Sequence, residues 1–182
     1  MKNTYQIDAA HSNVQFSVRH LMVSNVRGTF SGVTGTVSYD PDKPSETTID
    51  ATVDVNTVNT NDEKRDGHLK SPDFFDVATY PTMTFESKLV EGAGPGQHKV
   101  VGDLTLHGVT REVTLSVEDI SGEAKDPWGN IKLGATVKGK VKRSDFGLSW
   151  NAPLETGGVL VGDDVKIEFD LEFLKASQTA TA

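Results

Sequence analysis

No cysteine occurs in the sequence. That absence removes disulfide scaffolds, zinc fingers, iron–sulfur proteins and thiol enzymes, each of which needs sulfur ligands or a thiolate. No apolar stretch approaches the roughly 18 residues of a membrane-spanning helix, so the chain is not expected to span a membrane. Residues 1–11 carry Lys2, Gln6 and Asp8 and lack the apolar core of a secretory signal peptide. The expected location is therefore cytoplasmic, or periplasmic if Met1 opens a mature form. Positive charge is in deficit: 18 Lys and Arg against 26 Asp and Glu give a net charge of −8, which repels phosphate backbones. The densest basic stretch, 138–143, alternates Lys with Gly and Val and reads as the wet face of a strand, so no nucleic-acid partner is expected. Aromatic residues make up only 7% of the chain, so their placement matters.

What remains suits one compact domain. A chain of 182 residues can bury roughly 70% of its unfolded surface without covalent staples. Its dominant signal has period two. Val14, Phe16 and Val18 alternate with Gln15, Ser17 and Arg19; Ile49, Ala51, Val53 and Val55 alternate with Asp50, Thr52 and Asp54. Near the end Val165, Ile167, Phe169, Leu171 and Phe173 alternate with Lys166, Glu168, Asp170 and Glu172. The pattern extends through 26–39, 82–90, 99–107, 112–119 and 131–143, giving about eight strands. Turn residues such as Asp40-Pro41-Asp42, His107-Gly108 and Asp126-Pro127-Trp128-Gly129-Asn130 join them, and such short joins imply antiparallel neighbours.

One segment departs from this rhythm. Residues 61–70 offer an Asn61 cap, early acids and a terminal Lys70 before Ser71-Pro72, which predicts a short helix, although Gly67 weakens it. No linker or repeat divides the chain; residues 1–174 read as a single domain and the small, polar 175–182 as a flexible tail. The fold class is all-β. Between a sandwich and a barrel, glycines such as Gly28, Gly32, Gly35, Gly134 and Gly139 favour closure, because long strands bend there.

Candidate chemistry is sparse. His11, His20, His68 and His107 lie in polar settings, but a metal site needs several ligands to converge, and neither HxH nor HExxH spacing occurs. They read as hydrogen-bonded histidines at the barrel ends, and neither a metal nor a cofactor is expected. Ser12 beside His11 and Ser144 beside Asp145 lack a nucleophile elbow. Arg65, Asp66 and His68 on the one helix either pin a ligand's polar head or form an exposed helix face; the residues alone leave both open.

Several segments together resemble one family, the YceI-like proteins: Asp8-x-x-His11-Ser12, Phe16-x-Val18-x-His20, Gly28-Thr29-Phe30, Arg65-Asp66-x-His68-Leu69, Phe74-Phe75-Asp76, Tyr80-Pro81-Thr82-Met83-Thr84-Phe85, Gly102-Asp103-Leu104-Thr105-Leu106-His107-Gly108-Val109-Thr110 and Phe146-Gly147. The ordered set is specific where each piece is weak. The resemblance implies a lipocalin-like antiparallel barrel whose pore binds an isoprenoid lipid or quinone without catalysis. Strand parity then places Phe16, Val18, Phe30, Phe85, Leu104, Phe146, Phe169 and Leu171 along the apolar tail, with Arg65, His68 and His20 near the polar head. Transient membrane contact, and a homodimer covering the apolar rim of an open mouth, complete the partner expectations. The alternatives are a metalloenzyme using His11, His20, His68 and His107, and a filled-core interaction module.

Overall fold

The computed structural model describes residues 2–176. Alternating apolar and polar residues build strands β1 (Asn3–Ile7), β2 (Asn13–His20), β3 (Ser24–Phe30), β4 (Gly32–Tyr39), β5 (Thr48–Asp54), β6 (Thr82–Gly94), β7 (Gln97–Leu106), β8 (Val109–Glu118), β9 (Ala124–Lys125), β10 (Ile131–Lys142) and β11 (Val161–Lys175). All pair antiparallel in one sheet, ordered β3-β2-β11-β1-β4-β5-β6-β7-β8-β10-β9. A further pairing of β10 with β11 over Lys132–Lys142 closes it. Because β1 and β2 share one edge of β11, and β3 and β4 continue one another, the closed wall is an eight-stranded barrel. Closure pairs the two edges of the wall at β10 and β11, while β3 keeps an outer edge bridged at Thr29–Asn59.

Strand β1 is short, and its polar Asn3, Thr4 and Gln6 hide it in the sequence. The Asp8–Ser12 motif explains why it can sit in line with β2. The Asp8 carboxylate accepts from the Ala10 amide (3.2 Å) and meets His11 Nδ1 (2.9 Å), folding the intervening residues outward. Ser12 Oγ then donates to the Glu172 carbonyl (3.3 Å) and accepts from the Glu172 amide (3.1 Å), replacing ladder bonds lost at the interruption.

Helix α1 (Glu63–Lys70) covers one end of the barrel together with Phe74 and Phe75. Its cap is Asp62, not Asn61: the Asp62 side chain accepts from the amides of Lys64 and Arg65, both at 3.1 Å. Asn61 instead takes a left-handed turn, φ 59°. At that end Val14, Phe30, Val33, Val53, Val55 and Val58 pack into the main buried cluster, each contributing about 1.5–3 kcal/mol when fully buried. Past residue 174, where the sequence reading ends the domain, the pairing continues for two residues. Lys175 pairs with Tyr5, and the Ala176 amide donates to the Thr4 carbonyl (2.8 Å). The rest of the expected tail, 177–182, lies outside the described residues.

Candidate functional site in the barrel lumen

Inward-facing side chains of the wall enclose a cavity of about 280 Å³. One water needs only roughly 10–15 Å³, so the interior is not packed solid. The lining runs from Phe74, Phe75, Arg143 and Leu148 at the α1 end to Tyr39, Thr47 and His98 at the other. All eight side chains assigned to the wall, Phe16, Val18, Phe30, Phe85, Leu104, Phe146, Phe169 and Leu171, line it. Phe146 arrives from a 3-10 turn, Arg143–Phe146, ended by left-handed Gly147.

Two glycines keep this space open. Gly28 lies opposite Phe16 across the β2–β3 ladder, and a Cβ there would overlap the Phe16 ring. At Gly102 a Cβ would overlap Phe85 on the neighbouring strand. Each ring therefore lies flat against a side-chain-free stretch of wall instead of projecting into the lumen. Sequence reading takes Gly28 as a place to bend; the structure shows a close approach there. At Gly134 a Cβ would make only ordinary contacts, the nearest 3.7 Å from the Leu171 carbonyl oxygen.

The three residues expected at the polar head are placed differently from the wall. Arg65 does not line the cavity: its Nε donates to Thr60 Oγ1 (2.7 Å) and an Nη to the Thr60 carbonyl (2.8 Å). Asp66 accepts from the Thr60 amide (2.8 Å), so both charges clamp α1 onto the preceding loop. His68 sits above the rings of Phe74 (5.0 Å) and Trp150 (4.8 Å) and bonds Asp73 (2.9 Å), outside the cavity lining. His20 is half-buried at the end of β2, opposite Val161 and also outside the lining. The neighbouring Leu69 does reach the cavity.

The polar groups that do face the lumen escape sequence reading. Arg143 is buried, and its guanidinium donates to the carbonyls of Leu148 (2.6 Å), Trp150 (2.9 Å), Gly162 (2.9 Å) and Val161 (3.3 Å). Burial lowers its pKa from the usual value, opposed by nearby Asp163. At the far end Tyr39 packs edge-on against His98, ring centres 6.0 Å apart. Burial raises the Tyr39 phenol and lowers the His98 imidazole, favouring the neutral form of each. Buried Tyr5 donates to Glu123 (2.6 Å); desolvation, reinforced by that bond, pushes it up to about 12. Parity carries a signal for two of these: His98 is in phase with Val100 and Leu104, and Arg143 with Val137 and Val141.

The four histidines considered for a metal do not converge. His107 contacts the Phe146 carbonyl (3.2 Å) and Tyr80 (4.9 Å), while His20 and His68 stand apart as described. Among the described residues one group, Asp8, His11 and Glu172, has metal-like spacing. Lys132 Nζ already bonds both of its carboxylates, at 3.1 Å from Asp8 and closely to Glu172. The ammonium group supplies the cation that such a cluster would otherwise recruit; the His11 hydrogen bond, and after it that of Lys132, holds the Asp8 carboxyl below its ordinary value against desolvation.

Comparison with known proteins accords with this geometry. The family model for the YceI-like domain matches residues 5–173. A UPF0312 protein of Staphylococcus aureus strain N315 is 42% identical over 170 residues, covering 93% of this chain and 96% of that protein. Among solved structures, BcnA of Burkholderia cenocepacia superposes with a TM-score of 0.80 at 26% identity, covering 91% of this chain and 98% of that one. A Campylobacter jejuni YCEI protein gives 0.70 at 34% identity, with 93% and 96% covered. A polyisoprenoid-binding domain from Saccharophagus degradans, at 20% identity, shares the fold with a TM-score of 0.68, with 94% and 98% covered.

Proposed function

The chain belongs to the YceI-like family, and from that premise we propose that it is a non-enzymatic binding protein holding the apolar chain of an isoprenoid lipid or quinone in its lumen, for sequestration or transport. The observation that carries this reading is the end-to-end apolar cavity in a barrel whose wall could have been filled. In closed cores, space left by deleted side chains costs about 24 cal/mol per Å³, so an apolar lumen of about 280 Å³ is on the scale where filling it matters to stability by several kcal/mol. Against a typical total stability of about 5–15 kcal/mol, that space is a feature kept for an occupant. A linear prenyl chain suits it: each methylene moved out of water contributes about 0.8 kcal/mol, so one isoprene unit contributes on the order of 3 kcal/mol before binding costs. Sharing a fold with a domain described as polyisoprenoid-binding supports the prenyl choice over other lipids.

The reading includes brief membrane contact, and what supports it is an exposed turn at the α1 end. The β2–β3 turn exposes Leu21, Met22 and Val23, the last 77% exposed, beside Arg19 and Arg27. Leu21 and Met22 both take positive φ, 52° and 58°, a conformation that hairpins ordinarily give to Asn or Gly. Bulky apolar side chains held there at a conformational cost, with cations beside them, fit brief insertion into an anionic bilayer.

Gentle purification, organic extraction and mass spectrometry test the proposal. The expected result is a prenyl lipid or quinone in near-stoichiometric amount. A protein that emerges empty and takes up neither polyprenols nor quinones overturns it.

A further inference from the structure

Two buried side-chain atoms among the described residues have no hydrogen-bond partner, Thr47 Oγ1 and His98 Nδ1. Both residues line the lumen, and both lie at the end remote from α1. Thr47, only 9% exposed, directly precedes β5; His98 stands near the start of β7, opposite Gly92 and Val117. Tyr39, at the end of β4, packs against the His98 ring. Buried polar atoms are almost always paired, and leaving one unpaired costs free energy comparable to a lost hydrogen bond. Apart from Tyr39, whose hydroxyl makes no hydrogen bond to either atom, the surrounding lining includes Val37, Ile49, Val90 and Val100, whose side chains offer no partner.

We propose that Thr47 and His98 seat the oxygen head of the bound lipid, that this head is an uncharged hydroxyl or carbonyl, and that the apolar tail runs from there toward α1. The inference rests on the lumen holding a lipid, as proposed above. It reverses the orientation expected from Arg65, His68 and His20. An imidazole and a hydroxyl can each donate or accept, so together they match an alcohol, a phenol or a quinone carbonyl. A phosphate or diphosphate does not match. Arg143 is the one Lys or Arg among the lining residues; it lies at the opposite end and its donors are taken up by four carbonyls. Burying a phosphate without a counter-charge is far costlier than burying a hydroxyl that finds partners. Burial keeps His98 neutral and so withholds a cation from that end too.

The test compares ligands sharing one tail: farnesol, farnesyl diphosphate and farnesene, each titrated into delipidated protein by isothermal calorimetry. Farnesol is expected to bind about tenfold tighter than farnesene, as one or two net hydrogen bonds predict, and tighter than the diphosphate. Thr47→Val should narrow the gap between farnesol and farnesene, leaving the part that His98 supplies, while raising the melting temperature of the empty protein, because it deletes an unpaired hydroxyl. A structural Thr47 would instead give a lower melting temperature. Equal binding of farnesol and farnesene, or tighter binding of the diphosphate, overturns the polar seat while leaving the lipid reading intact. Failure of all three to bind sinks the lipid reading itself. The wild-type comparison needs no variant, so a poorly folding Thr47→Val leaves it decisive.

Discussion

A single side chain can both face the lumen and hold the wall, and Tyr5, which lines the cavity while bonding Glu123, shows how the second role can be measured. Its phenol is raised from 10.0 to about 12 by burial and by Glu123. A raised folded-state value means that the group's stabilising contribution is fully present below pH 10 and disappears as pH rises through about 12. Denaturation midpoints measured across that window should fall steeply in the native protein and more gently in Tyr5→Phe; identical slopes would show that Tyr5 is not linked to folding. The lumen-facing polar residues teach a different lesson. Parity alone sets His98 and Arg143 inward, yet their residue types argue for solvent and the hydrophobic pattern passes over them. What makes both tolerable inside is not visible locally: for Arg143 it is four carbonyls 5 to 19 residues away. The reverse error occurs at Arg65, whose charge and helical setting suggest a ligand contact, while the Thr60 partners that occupy it depend on the loop's final path.

At the scale of elements, alternation makes the strands legible because its period survives wherever one face stays wet. It fails where the backbone slips. In β6 the register shifts between Ser87 and Leu89, so Met83 and Phe85 face the lumen, Leu89 is exposed and Val90 faces inward again. No rule of strict period two anticipates that. Helix α1 is legible from its cap and acids, displaced by one residue at the start, and Gly67 remains its weak point. A Cβ at Gly67 would meet nothing within 4 Å, and its φ is ordinary. Gly67→Ala is therefore expected to stabilise the protein by about 0.5–1 kcal/mol in urea denaturation; a loss of stability would show that the helix there needs glycine. The β2–β3 turn gives the corresponding functional prediction. Replacing Leu21 and Val23 together with Ser should slow lipid transfer to anionic vesicles several-fold, while equilibrium occupancy stays unchanged. Unaltered transfer would remove this turn from membrane contact.

For the whole molecule, the charge deficit and the modest apolar content acquire positions. Lys138, Lys140, Glu118 and Asp164 pair on the outside of the wall, while Val165, Ile167, Phe169, Leu171 and Phe173 of a single strand face the lumen. The number of strands is readable from alternation, closure from glycines such as Gly28 and Gly134, and the wall from parity. The volume left inside is not, because it depends on Phe16 and Phe85 lying against glycines on neighbouring strands, Gly28 and Gly102. That volume is the premise of the functional account, and native mass spectrometry of the protein saturated with a polyprenol probes it most directly, with Leu104→Asp alongside. The account predicts one lipid per chain in the native protein and loss of that lipid in the folded variant, whose carboxylate would stand in the apolar lumen. A native protein that carries no lipid, or a variant that carries it equally well, would contradict it.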